Sequence, residues 1–361
     1  SDSSNSELNS LYNEFNNLFK DIRNNNYSPC IDDTEIRIND IHPMITCIES
    51  SSIEVKYRLE YQIQVPEKVV DHHRVQALKP LKICSDVSLK ANSQTIDFVT
   101  KINNHSCDHI VRVCFEDIYK AAENCSQDQF GTIIRQNVIK NQKSLKDGAT
   151  EYVLPIYAMQ RFVKLDHQKS IMAVLSKGPL EYEIENNQKI CLTLLRSVGK
   201  FGKADLLIRP GRSSGYRMDA PSSQLLNQTI TSEYSLFFGT KEQMSKMIQI
   251  AEVINTPVQT RYLNDIRREN LKLDWSYSAI TLDERVEFMA LKKAENSEAS
   301  IFRILNNREV DVADVELFIP INKRCYLCDV QENKQTEVEN QNGKVIIKNL
   351  VSNTFVTVII E

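Results

Sequence analysis

One arginine stands where an apolar strand ends. Residues 190–195 form a strongly apolar run, and Arg196 and Ser197 follow it directly. A guanidinium presents a fork of N–H donors that can hold sugar hydroxyls or a carboxylate. Arg196 and Ser197 are therefore candidates for the wall of a substrate cleft. The alternative is a structural arginine that donates hydrogen bonds to loop carbonyls.

A second group of basic residues lies in a predicted turn further along the chain. In Arg209-Pro210-Gly211-Arg212 the proline and glycine set a tight turn, and Tyr216 lies close by in sequence. The two arginines with the tyrosine would suit an anionic substrate group. A solvated loop is the alternative interpretation.

Two further polar residues fall on one predicted strand. Asp108 and Arg112 flank the apolar run at 110–111, and His109 lies between them in sequence. We expect Asp108 and Arg112 to form a buried pair that stabilises a sandwich, because buried charges are normally paired. A catalytic use would require partners that the sequence does not offer.

Metal and redox chemistry find little support in the sequence. Asp71-His72-His73-Arg74 follows a charged turn, so an exposed loop is expected, and a metal there would need a third ligand. A zinc site built from His105, Cys107 and His109 is weaker still. Cys325-Tyr-Leu-Cys328 has Cys-x-x-Cys spacing but no second pair. Strand periodicity would direct these two thiols to different faces, so we expect structural thiols and no metal site.

Composition removes other function classes. The 361 residues carry 44 basic and 48 acidic side chains, and this balance argues against nucleic acid or a membrane as partner. Only nine glycines occur, and they do not cluster as phosphate-binding loops require. No signal peptide is recognisable at the Ser-Asp-Ser-Ser start, which suggests a fragment. Nine cysteines in mostly apolar contexts favour free thiols and a cytoplasmic location.

Alternation of polar and apolar residues predicts an all-β fold. Residues 54–65 alternate with period two, as a half-solvated antiparallel strand does. Apolar spacing of three and four predicts an N-terminal helix over 7–24, and a brief helical stretch is expected near 117–123. The other expected strands are 81–90, 95–103, 109–115, 131–139, 151–157, 160–166, 171–176, 180–185, 189–196, 232–238, 246–254, 285–292, 300–306, 314–318, 323–329, 334–337, 343–348 and 354–360.

These elements predict three parts. A helical arm or linker at 1–30 precedes a large antiparallel β-sandwich at 31–262, and a smaller immunoglobulin-like sandwich follows at 263–361. Asn342-Gly343 is a hairpin-turn signal within the smaller sandwich.

Six segments in a fixed order carry a resemblance to a known family. The first joins Ile102-Asn103-Asn104 to Cys107-Asp-His-Ile-Val-Arg-Val113, and the next two are Phe130-Gly-Thr-Ile-Ile-Arg135 and Gly178-Pro-Leu-Glu-Tyr182. The last three are the strand ending in Leu-Leu-Arg196-Ser197, Asp219-Ala-Pro-x-x-Gln-Leu-Leu226, and the last-domain pair Ala290–Glu295 with Phe302–Asn306. In this order they resemble the C-terminal β region of family 38 glycoside hydrolases, the α-mannosidases, especially the bacterial branch. The resemblance covers about residues 50–361.

This resemblance implies a non-catalytic part of an enzyme. The large domain should be a galactose mutarotase-like super-sandwich. The family's zinc ion and nucleophile belong to an upstream α/β domain, whose ligands begin with His-x-Asp, and none of the six histidines here starts such a triplet. No catalytic residue and no cofactor are therefore expected in this chain, which should be inactive alone. It should supply scaffold, part of the cleft rim and a homo-oligomer contact. The implied substrates are α-mannosides or mannosylglycerate, whose glycerate would suit the arginine turn.

Two other functions compete with this one. A freestanding carbohydrate-binding module would need an exposed aromatic platform, and Trp275 is the single tryptophan. A mutarotase-type sugar epimerase would need a histidine and a glutamate in a sugar cleft. His109 has no convincing partner for that role.

Overall fold

The structure, a computed structural model, describes residues 21–24, 36, 38, 41–138, 155–167, 170–201, 205–206, 209–210, 218–256, 258–260 and 280–361. The chain divides into two compact units. Unit 1 comprises Ser1–Cys125 and Ile134–Lys241, and unit 2 comprises Ser126–Ile133 and Glu242–Glu361. The expected domain boundary at 262/263 lies outside the described residues.

The first twenty strands form the larger sandwich and its hairpins. They are β1 (Asp21–Asn24), β2 (Met44–Ser50), β3 (Glu54–Pro66), β4 (Val69–Val70), β5 (His73–Arg74), β6 (Leu78–Lys90), β7 (Thr95–Asn104), β8 (His109–Glu116), β9 (Glu123–Asp128), β10 (Gly131–Gln136), β11 (Ile156–Ala158), β12 (Phe162–Asp166), β13 (Ser170–Lys177), β14 (Glu181–Glu185), β15 (Lys189–Arg196), β16 (Lys200–Phe201), β17 (Asp205–Leu206), β18 (Arg209–Pro210), β19 (Met218–Asp219) and β20 (Gln228–Thr240).

Two sheets account for most of these strands. One has nine strands in the order β10-β9-β12-β13-β20-β7-β6-β3-β2, and the other has five in the order β1-β8-β15-β14-β11. Each described register between neighbours is antiparallel. The short pairs are β4-β5, β16-β19 and β17-β18. The all-β sandwich expected from the alternating sequence is therefore confirmed.

One hydrophobic core joins the facing sides of the two sheets. Along β3 every second residue from Leu59 onward is buried, which matches the period-two pattern of the sequence. At the centre Phe98 stacks on Tyr234, with ring centroids 5.2 Å apart, and both belong to the nine-stranded sheet. Phe115 from the five-stranded sheet meets Phe98 edge-to-face at 5.5 Å. This aromatic cluster fixes the two sheets against each other.

Among its described residues, unit 2 contains the small sandwich and a single α-helix. Two 3₁₀ turns, Pro221–Gln224 and Lys241–Gln243, precede the α-helix α1 (Met244–Asn255). The remaining strands are β21 (Thr281–Leu282), β22 (Glu287–Lys293), β23 (Ser300–Asn306), β24 (Val315–Phe318), β25 (Cys325–Cys328), β26 (Lys334–Val338), β27 (Asn340–Gln341), β28 (Lys344–Ile347) and β29 (Thr354–Ile360). They form a four-stranded sheet, β21-β24-β28-β27, and a five-stranded sheet, β22-β23-β29-β25-β26. All seven strands expected in this part are present.

The hairpin signal in unit 2 is confirmed. Asn342 and Gly343 connect β27 to β28 with φ values of 53° and 95°. Two consecutive positive φ angles are what a two-residue hairpin turn requires, and Asn-Gly adopts them at low cost. No described helix is long and apolar enough to cross a membrane.

Two local predictions of secondary structure were wrong. The strand expected at 246–254 is α1, whose buried residues Met247, Ile248 and Ala251 follow helical spacing. The β-branched residues around them suggested a strand. Residues 117–122 are not helical, because the N–H groups of Asp117 and Ala121 donate to the turn between β14 and β15 instead.

The end of the predicted N-terminal helix is a strand, and two further strands were not predicted. Residues 21–24, expected to end a helix, form β1 and pair with β8, so tertiary pairing overrides the local pattern there. The remainder of the expected helix lies outside the described residues. The sequence did not indicate β2, which is mostly exposed, or β9, which was assigned partly to a helix.

Gly131 lies where unit 2 leaves no room for a side chain. A Cβ atom there would lie 2.7 Å from Cβ of Asn353. The Asn353 side chain also accepts a hydrogen bond from the Thr132 N–H at 2.7 Å, and Phe130 packs on Phe355 at 5.4 Å. The Phe-Gly motif therefore has a packing role within unit 2.

Gly131→Ala is expected to lower the free energy of unfolding by about 1–3 kcal/mol, because the added methyl group overpacks this contact. Urea denaturation of the two proteins measures the difference. Asn353→Gly tolerates the positive φ at that position and removes the obstructing side chain. The same Gly131→Ala change should therefore cost less in the Asn353→Gly background. Equal costs in both backgrounds would contradict this explanation.

Candidate functional site

The side chain of Gln224 organises the end of β15. Its Oε1 accepts a hydrogen bond from the Asp108 N–H at 2.9 Å, and its Nε2 donates to Asp108 Oδ1 at 2.8 Å. The Ser197 hydroxyl lies 2.9 Å from the Gln224 carbonyl and 2.5 Å from its Oε1. Ser197 is fully buried and Gln224 nearly so. Buried polar groups satisfied in this way hold a chain in one arrangement.

Backbone geometry explains how Asp108 reaches this network. Its φ of 57° lies in the left-handed region, which aspartate tolerates better than most residues. The chain turns there before β8 begins. Asn104, at the end of β7, donates from Nδ2 to the Gln224 carbonyl at 2.9 Å and accepts from the Ser106 N–H. Three strand ends in unit 1 thus converge on one glutamine.

The chain makes an excursion between Gly199 and Ala220. Residues 200–219, here called the ribbon, contain two antiparallel pairs, β16 with β19 and β17 with β18. The Ala220 N–H donates to the Gly199 carbonyl at 2.9 Å and closes the base. A Cβ at position 199 would meet the Gln224 side chain, with Cδ at 3.2 Å. Gly199 therefore allows the buried amide to lie against the ribbon base.

The expected basic turn lies within the ribbon. Arg209 is in β18, opposite Leu206 of β17, and thus belongs to the outer pair of strands. Arg212 and Tyr216 lie outside the described residues. Ser197 precedes the ribbon by three residues in the sequence.

Arg196 forms an ion pair at the end of β15. Its Nη1 donates to Glu181 Oε2, and the other carboxylate oxygen of Glu181 accepts from the Thr193 hydroxyl at 2.9 Å. Both Arg196 and Glu181 remain about a quarter exposed. The guanidinium is therefore held in place by the sheet while part of it faces solvent. This geometry allows a structural role, and the exposed part of the side chain can also meet a ligand.

Asp108 and Arg112 do not pair with each other. Asp108 is bonded to Gln224, whereas Arg112 Nη1 donates to Glu183 Oε2 at 2.6 Å. The Cα atoms of residues four positions apart on a strand are separated by about 13 Å, which is too far for Asp108 and Arg112 to form a direct ion pair. Arg112 lies on β8 and Glu183 on β14, so the pair spans the intervening strand β15. The Arg112 side chain is only 2% exposed.

His109 is buried beside the same network. Neither ring nitrogen has a hydrogen-bond partner among the described residues, and its backbone carbonyl accepts from the Ser197 N–H. Burial, together with the positive charge of Arg74, lowers the pKa of His109 to about 4. The imidazole is therefore neutral near pH 7.

The other reactive-looking groups have ordinary structural positions. Asp71 and His72, both with positive φ, form the turn between β4 and β5, and His73 is exposed. Cys325 and Cys328 lie in β25 but join different hydrophobic clusters, and burial raises the pKa of both thiols. Within the described ranges, no group of three His, Cys, Asp or Glu side chains could hold a metal ion.

Sequence reasoning missed the residues that hold the site together. Gln224, Asn104 and Glu181 were not candidates, although each lies in one of the quoted motifs. Their polar side chains close to strand ends were the available signal. Gln224 is 116 positions from Asp108 and 120 positions from Asn104, so only the folded topology reveals these contacts.

Two solved structures have the same fold as this chain. One is described as an alpha-mannosidase from Enterococcus faecalis V583, with a TM-score of 0.76 and 19% identity over 95% of this chain and 38% of that chain. The other is a protein in the Glycosyl Hydrolase Family 38 from Enterococcus faecalis, with a TM-score of 0.77 and 19% identity over 95% and 40%. The chain thus spans about two fifths of each. Comparison with curated proteins found no match.

A family model described as "Glycosyl hydrolases family 38 C-terminal domain" matches residues 13–200, slightly more than half of the sequence. Those residues include β8 with Arg112 and β15 with Arg196, and they include Ser197, which directly follows β15. The resemblance inferred from the six motifs is confirmed. The chain belongs to glycosyl hydrolase family 38 and carries the family's C-terminal domain.

Proposed function

We propose that this chain is the non-catalytic C-terminal portion of a zinc-dependent retaining α-mannosidase. In this proposal an upstream α/β domain supplies zinc and the nucleophile, and the whole enzyme hydrolyses α-mannosides or mannosylglycerate. The observation that carries the proposal is the family match over residues 13–200. The two solved structures of the same fold, each more than twice as long, support attachment to a further domain.

Arg196 and the ribbon are the proposed contribution to the cleft rim. The Gln224 network anchors the ribbon base, and Glu181 orients the partly exposed guanidinium of Arg196. A guanidinium held in this way donates to sugar hydroxyls without first losing much side-chain freedom. Arg209, Arg212 and Tyr216 would extend the same rim toward an anionic group such as glycerate.

The first experiment is hydrolysis of p-nitrophenyl-α-mannoside by this chain alone, with zinc and then with EDTA. No turnover is expected under either condition. Zinc-dependent turnover would contradict the assignment of the chemistry to another domain. Mannoside titration monitored by Trp275 fluorescence provides a second readout. Saturable binding by the isolated chain would favour a freestanding carbohydrate-binding module instead.

Anomer exchange tests the epimerase alternative. The chain should not accelerate mutarotation of glucose or galactose, since His109 is only 2% exposed and is separated from solvent. Acceleration that is lost in His109→Phe would overturn the proposal.

The rim role of Arg196 requires the complete enzyme. Arg196→Ala should lower kcat/KM by about tenfold, equivalent to ~1.4 kcal/mol of lost transition-state binding. Glu181→Gln is the matched control, because it weakens the ion pair but keeps the guanidinium. If Arg196 contacts substrate, the control retains most activity. Equal losses in the two variants would assign Arg196 a purely structural role.

We also propose a cytoplasmic location. The eight cysteines of the described residues are free thiols, as expected in a reducing compartment. Two of the four Asn-x-Ser/Thr sequences, at Asn104 and Asn124, are buried and hydrogen-bonded, so a glycan on either would prevent native packing.

A further inference from the structure

Two cysteines face each other across the five-stranded sheet. Cys114 on β8 and Cys191 on β15 are directly opposite partners in the antiparallel register. Their sulfur atoms lie 2.7 Å apart, and both side chains are fully buried. Nonbonded carbon atoms in van der Waals contact are separated by about 3.5–4.0 Å, so this is a close approach of two thiols.

The backbone at this position suits a disulfide. Directly opposite residues of an antiparallel pair have Cα atoms about 4.5–5.5 Å apart, and disulfides span Cα separations of about 4.4–6.8 Å. The register is fixed on both sides, by Ile190 opposite Phe115 and by Leu192 opposite Val113. This register places the two cysteines directly opposite each other.

Three other cysteines of the described residues, Cys47, Cys325 and Cys328, lack this geometry. Cys325 and Cys328 are close in sequence, but they contribute to different hydrophobic clusters of unit 2. Cys47 is exposed, and its thiol lies near the Glu49 carbonyl. The close approach of Cys114 and Cys191 is therefore a feature of their positions in the sheet.

We propose that Cys114 and Cys191 are a reversible disulfide site, reduced as thiols and oxidised by a small-molecule disulfide. A Cys thiolate attacks the small disulfide RSSR, forms a mixed disulfide and releases one RSH. The second Cys thiolate then attacks the protein sulfur of the mixed disulfide and displaces a second RSH. The protein pair loses two electrons and two protons, and RSSR gains both. The reverse reaction with a reduced thiol restores the pair.

Oxidation would crosslink the strand that carries the candidate site. Arg196 is the last residue of β15, Ser197 follows it directly, and β8 is the neighbour of β15 in the sheet. The two cysteines are 77 positions apart, so the bond closes a large loop of the unfolded chain. A crosslink across such a loop mainly restricts the unfolded state. The midpoint of thermal unfolding should rise by about 5–10 °C on oxidation and fall again with dithiothreitol.

Peptide mapping tests the proposal directly. Trypsin places Cys114 alone in peptide 113–120 and Cys191 alone in peptide 190–196. The whole chain is incubated in the folded state with oxidised glutathione. A second sample is refolded from urea in a glutathione redox buffer, which gives the thiols access before burial. Free thiols are alkylated before digestion. We expect the two peptides to be recovered as one species, two hydrogens lighter than their sum, in the refolded sample at least.

Variants separate this pair from the other cysteines. Cys191→Ser should abolish the linked peptide and the dithiothreitol-sensitive thermal shift. Cys125→Ser is the matched control, a buried cysteine in peptide 121–135, and should retain both. Recovery of peptides 113–120 and 190–196 separately, alkylated or carrying glutathione, from both wild-type samples would overturn the proposal. That result needs no variant to fold.

Discussion

Replacing Glu183 by alanine should lower the free energy of unfolding by about 3–5 kcal/mol, because it leaves a buried guanidinium without its counter-charge. The Arg112 side chain is 2% exposed and that of Glu183 is 13% exposed. Water therefore cannot replace the lost carboxylate without opening the sheet. Urea denaturation monitored by circular dichroism measures the effect. Glu233→Ala is the matched control, because Glu233 pairs with Lys177 at the surface, and it should cost no more than about 1 kcal/mol.

A double variant distinguishes charge from packing. Arg112→Met combined with Glu183→Leu removes both charges and keeps apolar volume, so it should recover most of the loss. Single and double variants together form a thermodynamic cycle. If Glu183→Ala costs no more than Glu233→Ala, the ion pair does not stabilise the sheet as argued.

Acidification should destabilise the protein through His109. Burial holds the pKa of its imidazole at about 4, against 6.5 for an unburied histidine. The folded state resists protonation, whereas the unfolded chain takes up a proton as pH falls through about 6.5. The stability contribution is therefore fully present above pH 6.5 and is lost progressively down to about pH 4. The loss amounts to about 3 kcal/mol over this window.

His109→Phe isolates this term from the other titrating groups. Arg74 and Asp108 face His109 and stay in place in the variant. The free energy of unfolding is measured by urea titration at several pH values between 4 and 7. The difference between wild type and variant should change by about 3 kcal/mol across that range, in favour of the variant at low pH. A difference that stays constant with pH would show that His109 is not buried in neutral form.

Particular residues show how far sequence patterns predict this fold. Period-two alternation along residues 54–65 predicts β3, because one face of that strand packs on the core and the other meets solvent. The apolar runs at 109–115 and 189–196 predict β8 and β15 equally clearly, because both faces of these two strands are buried. Residues 244–255 form a helix although they include β-branched residues. In so short an apolar segment, the spacing of apolar residues did not distinguish a helix from a strand.

The site shows the same division. Arg196 and Ser197 stood out because a polar pair ended an apolar strand. Gln224, which binds Ser197 and Asp108, gave no comparable signal. Its role depends on the contact between Asp108 and Gln224, which are 116 positions apart in the chain. Likewise, Arg112 reaches Glu183 across an intervening strand, whereas the sequence suggested Asp108 as its partner.

The sequence by itself determined the all-β class, most strand positions, the Asn342-Gly343 turn and membership of family 38. Those properties follow from local periodicity and from motif order, which are written in consecutive residues. Only the tertiary structure decided the partners of Asp108, Arg112 and Arg196 and brought Cys114 opposite Cys191. Strand order and register set these contacts, and they depend on pairing between segments distant in the chain.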